Sequence, residues 1–441
     1  MGLLHAHDGY GVGNGETDLS LTSSIGEPCI KKKGTVVGYR SVEDIDVAGK
    51  RVLLRVDFNV PVNDDGAITD ATRIDRALPT IKLLRERGAK TLILSHFGRP
   101  KGERRSSMSL APVAPVLSEK LGCPVSFADD CIGEPASKLA SSLGDADVAI
   151  LENTRFHAGE EKNDAGFVEA LAQVGDIYVN DAFSAAHRAH GSTEGIARKL
   201  PAVAGLALAR ELDYLGASLG APERPMMAVV GGAKVSTKIE LLLNLIPKAD
   251  MIVVGGAMAN TFLFAQGVNV GKSLCEPGLV DTALEILDQA SKATCEIVLP
   301  SDVVVAKEFA AGAANRVAHV DNLGGDNIDA DEMALDLGPA SVNNIAEKMA
   351  SAKTLVWNGP LGAFEIQPFD TATVEAARFA AKQAKNGALT VVAGGGDTVA
   401  ALNHAGVVDD FTYVSTAGGA FLEWLEGKTL PGVAALERAA T

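Results

Sequence analysis

The sequence predicts an α/β protein made of two Rossmann-like domains with parallel sheets, joined by a hinge helix. Three observations carry this. Short runs rich in Val, Ile and Leu recur along the chain, each followed by a glycine-rich or polar turn and then by a helical stretch. The runs are apolar throughout rather than alternating, as strands covered on both faces must be, and stretches of crossover length separate many of them. Finally, 441 residues exceed what one core usually holds, so two domains are expected.

Taken in order, residues 1–37 are rich in Gly, Ser and Thr, carry Lys31-Lys32-Lys33 and lack a sustained period; they are expected to be a mobile N-terminal extension. Four apolar runs follow: Arg51 to Val56, Thr91 to Leu94, Val148 to Leu151 and Ile177 to Val179. They define a first domain over 38–205. The segment 206–222 opens with an amphipathic pattern, Leu206 to Leu219, and ends at Gly220-Ala221-Pro222, which fits a helix joining two domains. A second domain over 223–425 contains the runs Met227 to Val230, Met251 to Val254, Thr354 to Trp357 and Leu389 to Ala393.

The net charge of -16 disfavours nucleic acid and acidic membrane as partners, so an anionic ligand must be met by a local group of cations. No window reaches the ~18 uninterrupted apolar residues of a membrane span. Asp8, Glu16 and Asp18 spoil a secretory signal. Cys29, Cys123, Cys131, Cys275 and Cys295 are an odd, scattered set, expected to be reduced thiols.

Ligands of parallel sheets bind beyond the carboxyl ends of the strands. There the first half offers Asp57-Phe58-Asn59, Ser95-His96-Phe97-Gly98-Arg99, Glu152-Asn153-Thr154-Arg155 and His187-Arg188-Ala189-His190, with Arg73 in the stretch after the first strand. With Arg55, these cations would repel one another if left empty. Guanidinium forks match carboxylate and phosphate oxygens, so the cluster implies a small, multiply charged anion, with Asp57 and Asn59 as acceptors for its hydroxyls. Each arginine alone could be a solvated charge. The spacing of His187 and His190, with His157 as a candidate neighbour in the fold, does not by itself support a metal, and a Ser/His/Asp triad is equally unsupported.

The second half has glycine-rich turns: Gly231-Gly232-Ala233-Lys234, Gly255-Gly256, Asn358-Gly359-Pro360-Leu361-Gly362, Gly394-Gly395-Gly396-Asp397-Thr398 and Ser415-Thr416-Ala417-Gly418-Gly419. Backbone amides at helix starts cradle phosphates. Lys234 and Lys238 are expected to stack on the first turn of a helix, where two cations are unfavourable unless an anion joins them. Asp397 is placed to hold Mg²⁺ against phosphate oxygens, a role compatible with N-capping. Gly267 to Ser273 imitates a phosphate-binding loop but is one residue short and follows a helical stretch; a surface loop is expected. One half for a small oxyanion and another for a magnesium polyphosphate suggest phosphoryl transfer between them, with a hinge motion near Leu206 to Leu219 that closes the two. A two-lobed anion-binding protein would leave Lys234, Lys238 and Asp397 without work. A nicotinamide-dependent dehydrogenase would require a Gly-x-Gly-x-x-Gly turn after a strand, which is absent.

The ordered motifs Arg55-Val56-Asp57-Phe58-Asn59-Val60-Pro61, Ser95-His96-Phe97-Gly98-Arg99-Pro100, His187-Arg188-Ala189-His190, Gly231-Gly232-Ala233-Lys234 and Gly394-Gly395-Gly396-Asp397-Thr398 resemble those of the phosphoglycerate kinases, over about residues 40–432. The resemblance implies reversible phosphoryl transfer from 1,3-bisphosphoglycerate to MgADP, giving 3-phosphoglycerate and MgATP. It implies that Asp57, Asn59, Arg73, His96, Arg99, Arg155 and Arg188 hold phosphoglycerate. Lys234, Lys238, Gly394, Gly395, Gly396, Asp397 and Thr398 would hold the nucleotide phosphates and magnesium, with Asn358 nearby, Glu365 on the ribose and Gly256 and Pro360 on the adenine side. Arg73, Lys234 and Lys238 are the expected catalytic cations. The resemblance further implies that a tail, 426–441, returns to the first domain, and that the protein is a cytoplasmic monomer, with a plastid location as the alternative. Ala257 and Ala417 stand where glycine is expected, and Ser184 follows an Asp-Ala-Phe usually followed by glycine, which puts local turn geometry and nucleotide affinity in question.

Overall fold

A computed structural model describes residues 38–63, 65–320 and 327–440. The expected mobile extension, residues 1–37, lies outside the described residues. Six strands form the first sheet: β1 (Arg51–Arg55), β2 (Lys90–Leu94), β3 (Val125–Ala128), β4 (Val148–Leu151), β5 (Ile177–Asn180) and β6 (Ala202–Ala204). They are all parallel, in the order β3-β4-β2-β1-β5-β6. The connections diverge between β1 and β5, one leading to β2 and the other to β6, and there the carboxyl-end crevice of a doubly wound sheet opens.

Beyond it come β7 (Met226–Val230), β8 (Met251–Val254), β9 (Glu296–Val298), β10 (Asp302–Ala306), β11 (Asn315–His319), β12 (Met333–Leu337), β13 (Thr354–Asn358), β14 (Thr390–Gly394) and β15 (Tyr413–Ser415). A second six-stranded parallel sheet has the order β15-β14-β13-β7-β8-β9. The remaining three strands make an antiparallel sheet, β11-β10-β12, absent from the sequence expectation. Beneath it pack Val303, Val305 and Ala318 with Val268 and Val270. Those two valines belong to the segment expected to be a surface loop; the loop is anchored by burying them rather than lying free.

Both faces of each large sheet are covered. On the first sheet Val52, Leu54, Ile93, Ile150 and Val179 pack one way, while Leu53, Leu92, Leu94, Leu151 and Tyr178 pack the other. The second sheet divides likewise, with Met227, Val229, Leu355, Trp357 and Val391 on one side and Ala228, Val230 and Ile252 on the other. The helix Leu206–Leu215 and the wider turn Gly216–Gly220 after it connect the sheets. Their buried stripe, Leu208, Leu212, Leu215 and Leu219, joins one face of each sheet into a single apolar cluster. Burying one leucine side chain contributes about 1.5–3 kcal/mol, so this stripe is a substantial coupling between the halves.

The connecting helix starts where other elements supply its caps. Asp181, just after β5, accepts from Ala207 N at 2.8 Å and Leu208 N at 3.0 Å, and Thr80 Oγ1 accepts from Leu206 N at 3.0 Å. Burial pushes the Asp181 carboxyl up to about 6 in spite of these donors. Farther along the helix, Glu211 is 5% exposed and accepts from the Tyr413 hydroxyl on β15, while Tyr214 stacks on Tyr413 with ring centroids 4.7 Å apart. At the far end of the chain, Gly432 N donates to Ala186 O at 2.8 Å, and the helix Pro431–Ala440 packs against β6.

Candidate active site at the facing sheet edges

Arg55 closes β1 and is 1% exposed. Its Nε donates to Ser192 Oγ at 3.0 Å, Nη1 donates to Val56 O, and Nη2 lies 3.0 Å from His96 Nδ1. Ser192 in turn donates through Oγ and N to the two carboxylate oxygens of the fully buried Glu160, at 2.6 and 2.8 Å. A cation is thus held inside the protein by a hydroxyl and a carboxylate behind it.

Two residues on, Asp57 receives Arg73 Nη1 at 2.7 Å and Ser184 Oγ at 2.6 Å on one oxygen, and Asn59 N at 3.1 Å on the other. Burial raises the Asp57 carboxyl, but the charges of Arg73 and Arg55 and the Ser184 hydroxyl outweigh it and hold it below its ordinary range. Asn59 Oδ1 accepts from Gly98 N at 2.8 Å, which fixes the turn after β2. The turn after β4 is fixed by Asn153, whose side chain bonds Phe97 N, Phe97 O and Arg155 N at 3.1, 2.7 and 3.0 Å.

Arg155 is only 5% exposed, and its Nη1 donates to Gly98 O at 2.8 Å. Its Nε has no acceptor: Glu161 is 3.3 Å away but out of hydrogen-bond line. His187 accepts from Arg188 Nε on its own Nε2 at 2.8 Å, so its proton sits on Nδ1, and that buried atom also lacks a partner. Two buried donors without acceptors, among Arg55, Arg155 and Arg188, are a site shaped for an anion. Burial, then repulsion from Arg155, Arg188, Arg55 and His187, brings His190 down to about 4.

The structure therefore gathers Arg55, Asp57, Asn59, Arg73, His96, Arg155 and Arg188 around one edge. Arg99 follows Gly98 there and is exposed. His157 is committed elsewhere: it pairs with Asp130 at 2.7 Å and lies tilted against the Phe167 ring, with centroids 5.5 Å apart. Sequence reasoning missed Ser192 and Glu160 as the support of Arg55, since neither stands directly after a strand.

At the second edge the glycine turns interlock. Gly232, Gly256, Gly359 and Gly395 have φ of 146°, 67°, 103° and 100°. A Cβ on Gly231 would lie 1.9 Å from Pro360 O, and one on Gly256 would lie 2.7 Å from Gly232 O, so only glycine allows these loops to meet. Trp357 Nε1 donates to Gly359 O and Thr398 Oγ1 accepts from Gly359 N, both at 2.7 Å. Asn358 Nδ2 donates to Gly394 O at 2.7 Å, and its Oδ1 accepts from Lys238 Nζ. Burial lowers the Lys238 ammonium against the pull of Glu426 and Asp397. Asp397 is exposed in the first turn of the helix Gly396–Ala405; Lys234 and Glu365 are exposed, and Pro360 is half-buried.

One local expectation is corrected. Lys234 precedes a 3-10 turn, Val235–Thr237, and Lys238 precedes the helix Ile239–Leu245, so the two do not stack on an α-helical first turn. Residues 235–237 wind more tightly, and Lys238 is freed to reach Asn358. The alanine departures are mild: neither Ala257 nor Ala417 has the positive φ that would penalise a side chain. Ser184 adds a hydrogen bond rather than removing one.

The two edges face each other. Arg76 donates to Thr416 Oγ1, a Cβ on Gly419 would come within 3.1 Å of His187, and Phe183 meets Trp424 edge-on at 6.5 Å. Residues 42–428 match the family model described as phosphoglycerate kinase. This chain belongs to the phosphoglycerate kinase family. It is 61% identical over 402 residues to the phosphoglycerate kinase of Agrobacterium fabrum, covering 91% of this chain and 99% of the relative. To that of Xanthobacter autotrophicus it is 62% identical over 403 residues, covering 91% and 100%. Among solved structures, phosphoglycerate kinase from Coxiella burnetii superposes with a TM-score of 0.85 at 42% identity, covering 91% of this chain and 100% of that one. The Pyrococcus horikoshii enzyme gives 0.73 at 32%, covering 91% and 99%. As a phosphoglycerate kinase the chain is a phosphotransferase whose acceptor is a carboxyl group. Among the described residues no helix is long and apolar enough to cross a membrane.

Proposed function

We propose that the first edge binds phosphoglycerate, the second binds the magnesium nucleotide, and phosphoryl transfer occurs where the two meet. In the direction of ATP formation, the bond between phosphorus and the C1 carboxyl oxygen of 1,3-bisphosphoglycerate breaks. A terminal phosphate oxygen of ADP takes up the phosphoryl group, leaving 3-phosphoglycerate as a carboxylate. The attacking oxygen is already anionic, so no general base is required. The chain has to bind, align and neutralise.

Arg155, Arg188, His96 and Arg99 meet the oxygens of the phosphoglycerate, while Asp57 and Asn59 accept its hydroxyl. Arg73, 41% exposed on its side chain and tethered to Asp57, can swing toward the phosphoryl group from one side. Lys238 and Lys234 approach it from the other. Gly394, Gly395, Gly396 and Thr398 present backbone to the nucleotide phosphates, Asn358 braces Lys238, Glu365 takes the ribose, and Gly256 and Pro360 line the base. The donor set suits Mg²⁺: Asp397 offers one solvent-open carboxylate beside phosphate, the pairing this hard cation prefers. When bound, Mg²⁺ screens charge on the nucleotide phosphates. Closure about the segment Leu206 to Leu219 would exclude water, and a scattering profile unchanged by both substrates together would count against it.

The observation that carries this reading is the pair of buried donors without acceptors, Arg155 Nε and His187 Nδ1, opposite an interlocked set of glycine turns. The test is a coupled assay. ATP should form from 1,3-bisphosphoglycerate and ADP, and chelating Mg²⁺ should stop it. No ATP with Mg²⁺ present overturns the reading, and oxidation of the substrate with nicotinamide would replace it. We place the enzyme in the cytoplasm as a monomer that binds no nucleic acid.

A further inference from the structure

The arginines at the first edge do more than supply charge. A guanidinium has five donors and no acceptor. Where Arg55 Nη2 meets His96 Nδ1 at 3.0 Å, that nitrogen must accept, which leaves the ring proton on Nε2. Where Arg188 Nε meets His187 Nε2 at 2.8 Å the logic runs the other way, and the proton is on Nδ1. Neither ring can become imidazolium without losing its arginine, since both nitrogens would then be donors.

We infer that Arg55 and Arg188 fix His96 and His187 in opposite tautomers, so that two neutral N–H donors point at the anion, and that Arg55 is a positioning residue seated by Ser192 and Glu160. The seating is specific. Arg55 is 1% exposed, its Nε is received by Ser192 Oγ at 3.0 Å, and Ser192 hands its own proton to Glu160 at 2.6 Å. The guanidinium therefore cannot turn away from His96 without leaving Ser192.

The charges around each ring agree. Burial, then Arg55, holds the His96 imidazole well below its ordinary range; Asp57 opposes this, and Arg155 and Arg188 add to it. Around His187, burial again leads, Glu423 opposes, and Arg188 and Arg155 assist. Neutral donors suit a site that must release its product. They bind an oxyanion by hydrogen bonding without adding two more full charges to a crowded set of arginines.

This inference rests on the proposed function for what the donors bind, but not for the tautomers themselves. The experiment is long-range proton–nitrogen correlation on the full chain labelled with ¹⁵N-histidine. His96 and His187 are assigned from the signals lost in His96→Gln and His187→Gln. At pH 6 the ligand-free enzyme should show His96 protonated on Nε2 and His187 on Nδ1, with both rings neutral. The same tautomer in both rings, or either one as imidazolium, would overturn the inference. Arg55→Met removes one of the charges that hold His96 neutral and frees Nδ1 to donate, so the ring should become charged at a higher pH than in the parent. Because the substrate phosphate itself titrates at about pH 6, the readout is the ratio of KM values for 3-phosphoglycerate, variant to parent, which should fall as pH drops. If Arg55→Met does not fold, the two opposite patterns in the parent spectrum still decide the matter. Adding 3-phosphoglycerate should shift both protonated nitrogens. Fixed tautomers with no such shift would uphold the inference and sink the assignment of the site.

Discussion

Replacing Gly231 by alanine tests whether the nucleotide side depends on how closely its turns approach. The added Cβ would stand 1.9 Å from Pro360 O, 2.8 Å from Pro360 C and 2.9 Å from Gly359 C. Ordinary contact begins at 3.4 Å, so the Gly359–Pro360 backbone must retreat by about 1.5 Å. That retreat pulls on Gly231 N to Asn358 O, at 2.9 Å, and on the Asn358 side chain that braces Lys238. Overpacking of this kind costs about 1–3 kcal/mol, and a strained buried hydrogen bond adds about 1. We expect a loss of about 2–4 kcal/mol in urea unfolding and a rise of at least tenfold in KM for MgATP, the equivalent of about 1.4 kcal/mol. KM for 3-phosphoglycerate should change less than about twofold, because no first-sheet residue is displaced. Gly278→Ala is the control: nothing lies within 4 Å of its added Cβ, and it should fall within about 0.5 kcal/mol of the parent. A Gly231→Ala enzyme with the parent's unfolding midpoint and MgATP affinity would refute the reasoning.

Other outcomes follow from the same geometry. Arg73→Ala should lower turnover by about 10²–10³ while weakening phosphoglycerate binding only severalfold, as measured by steady-state kinetics; equal losses in both would refute a role confined to the transition state. Ser184→Gly removes the 2.6 Å bond to Asp57 and should raise the dissociation constant for 3-phosphoglycerate by roughly tenfold in calorimetry, since a hydrogen bond to a charged group contributes about 1.5–3 kcal/mol. Asp336 is buried, which raises its carboxyl to about 8; Ala372 N donates to one oxygen, Leu337 N also favours the ionised form, and the other oxygen has no partner. A carboxyl whose folded pKa lies above its unfolded one binds its proton more tightly when folded. Its contribution is therefore full below about 4 and is lost as pH rises to about 8. Asp336→Asn should flatten that part of the stability profile, and a variant whose urea midpoints track the parent from pH 5 to 9 would contradict the assignment.

The large parallel sheets were legible because strands such as Val148–Leu151 and Met251–Val254, buried on both faces, have no polar side to disguise them. The anion edge was legible because its arginines and histidines stand directly after strands, where topology brings separate segments together. What was hidden depends on direction and on distant partners. Arg55 reads as the end of an apolar run, and nothing in the letters says that its guanidinium turns inward to Ser192, far along the chain. The sheet of β10, β11 and β12 escaped because its outer strand, Asn-Arg-Val-Ala-His, carries polar residues and buries only Ala318 deeply. The tight turn at 235–237 escaped because a 3-10 turn and an α-helical turn share nearly the same residue preferences.

The contact between Gly432 and Ala186 gives the chain an order of completion. The unit around β1 to β6 is threaded first into the world outside the ribosome, yet it lacks a wall until the last helix, Pro431–Ala440, emerges to cover β6. The unit around β7 to β15 is contiguous and can finish earlier. During synthesis the earlier-made half must therefore wait, its apolar face open, for the later-made half to be released behind it.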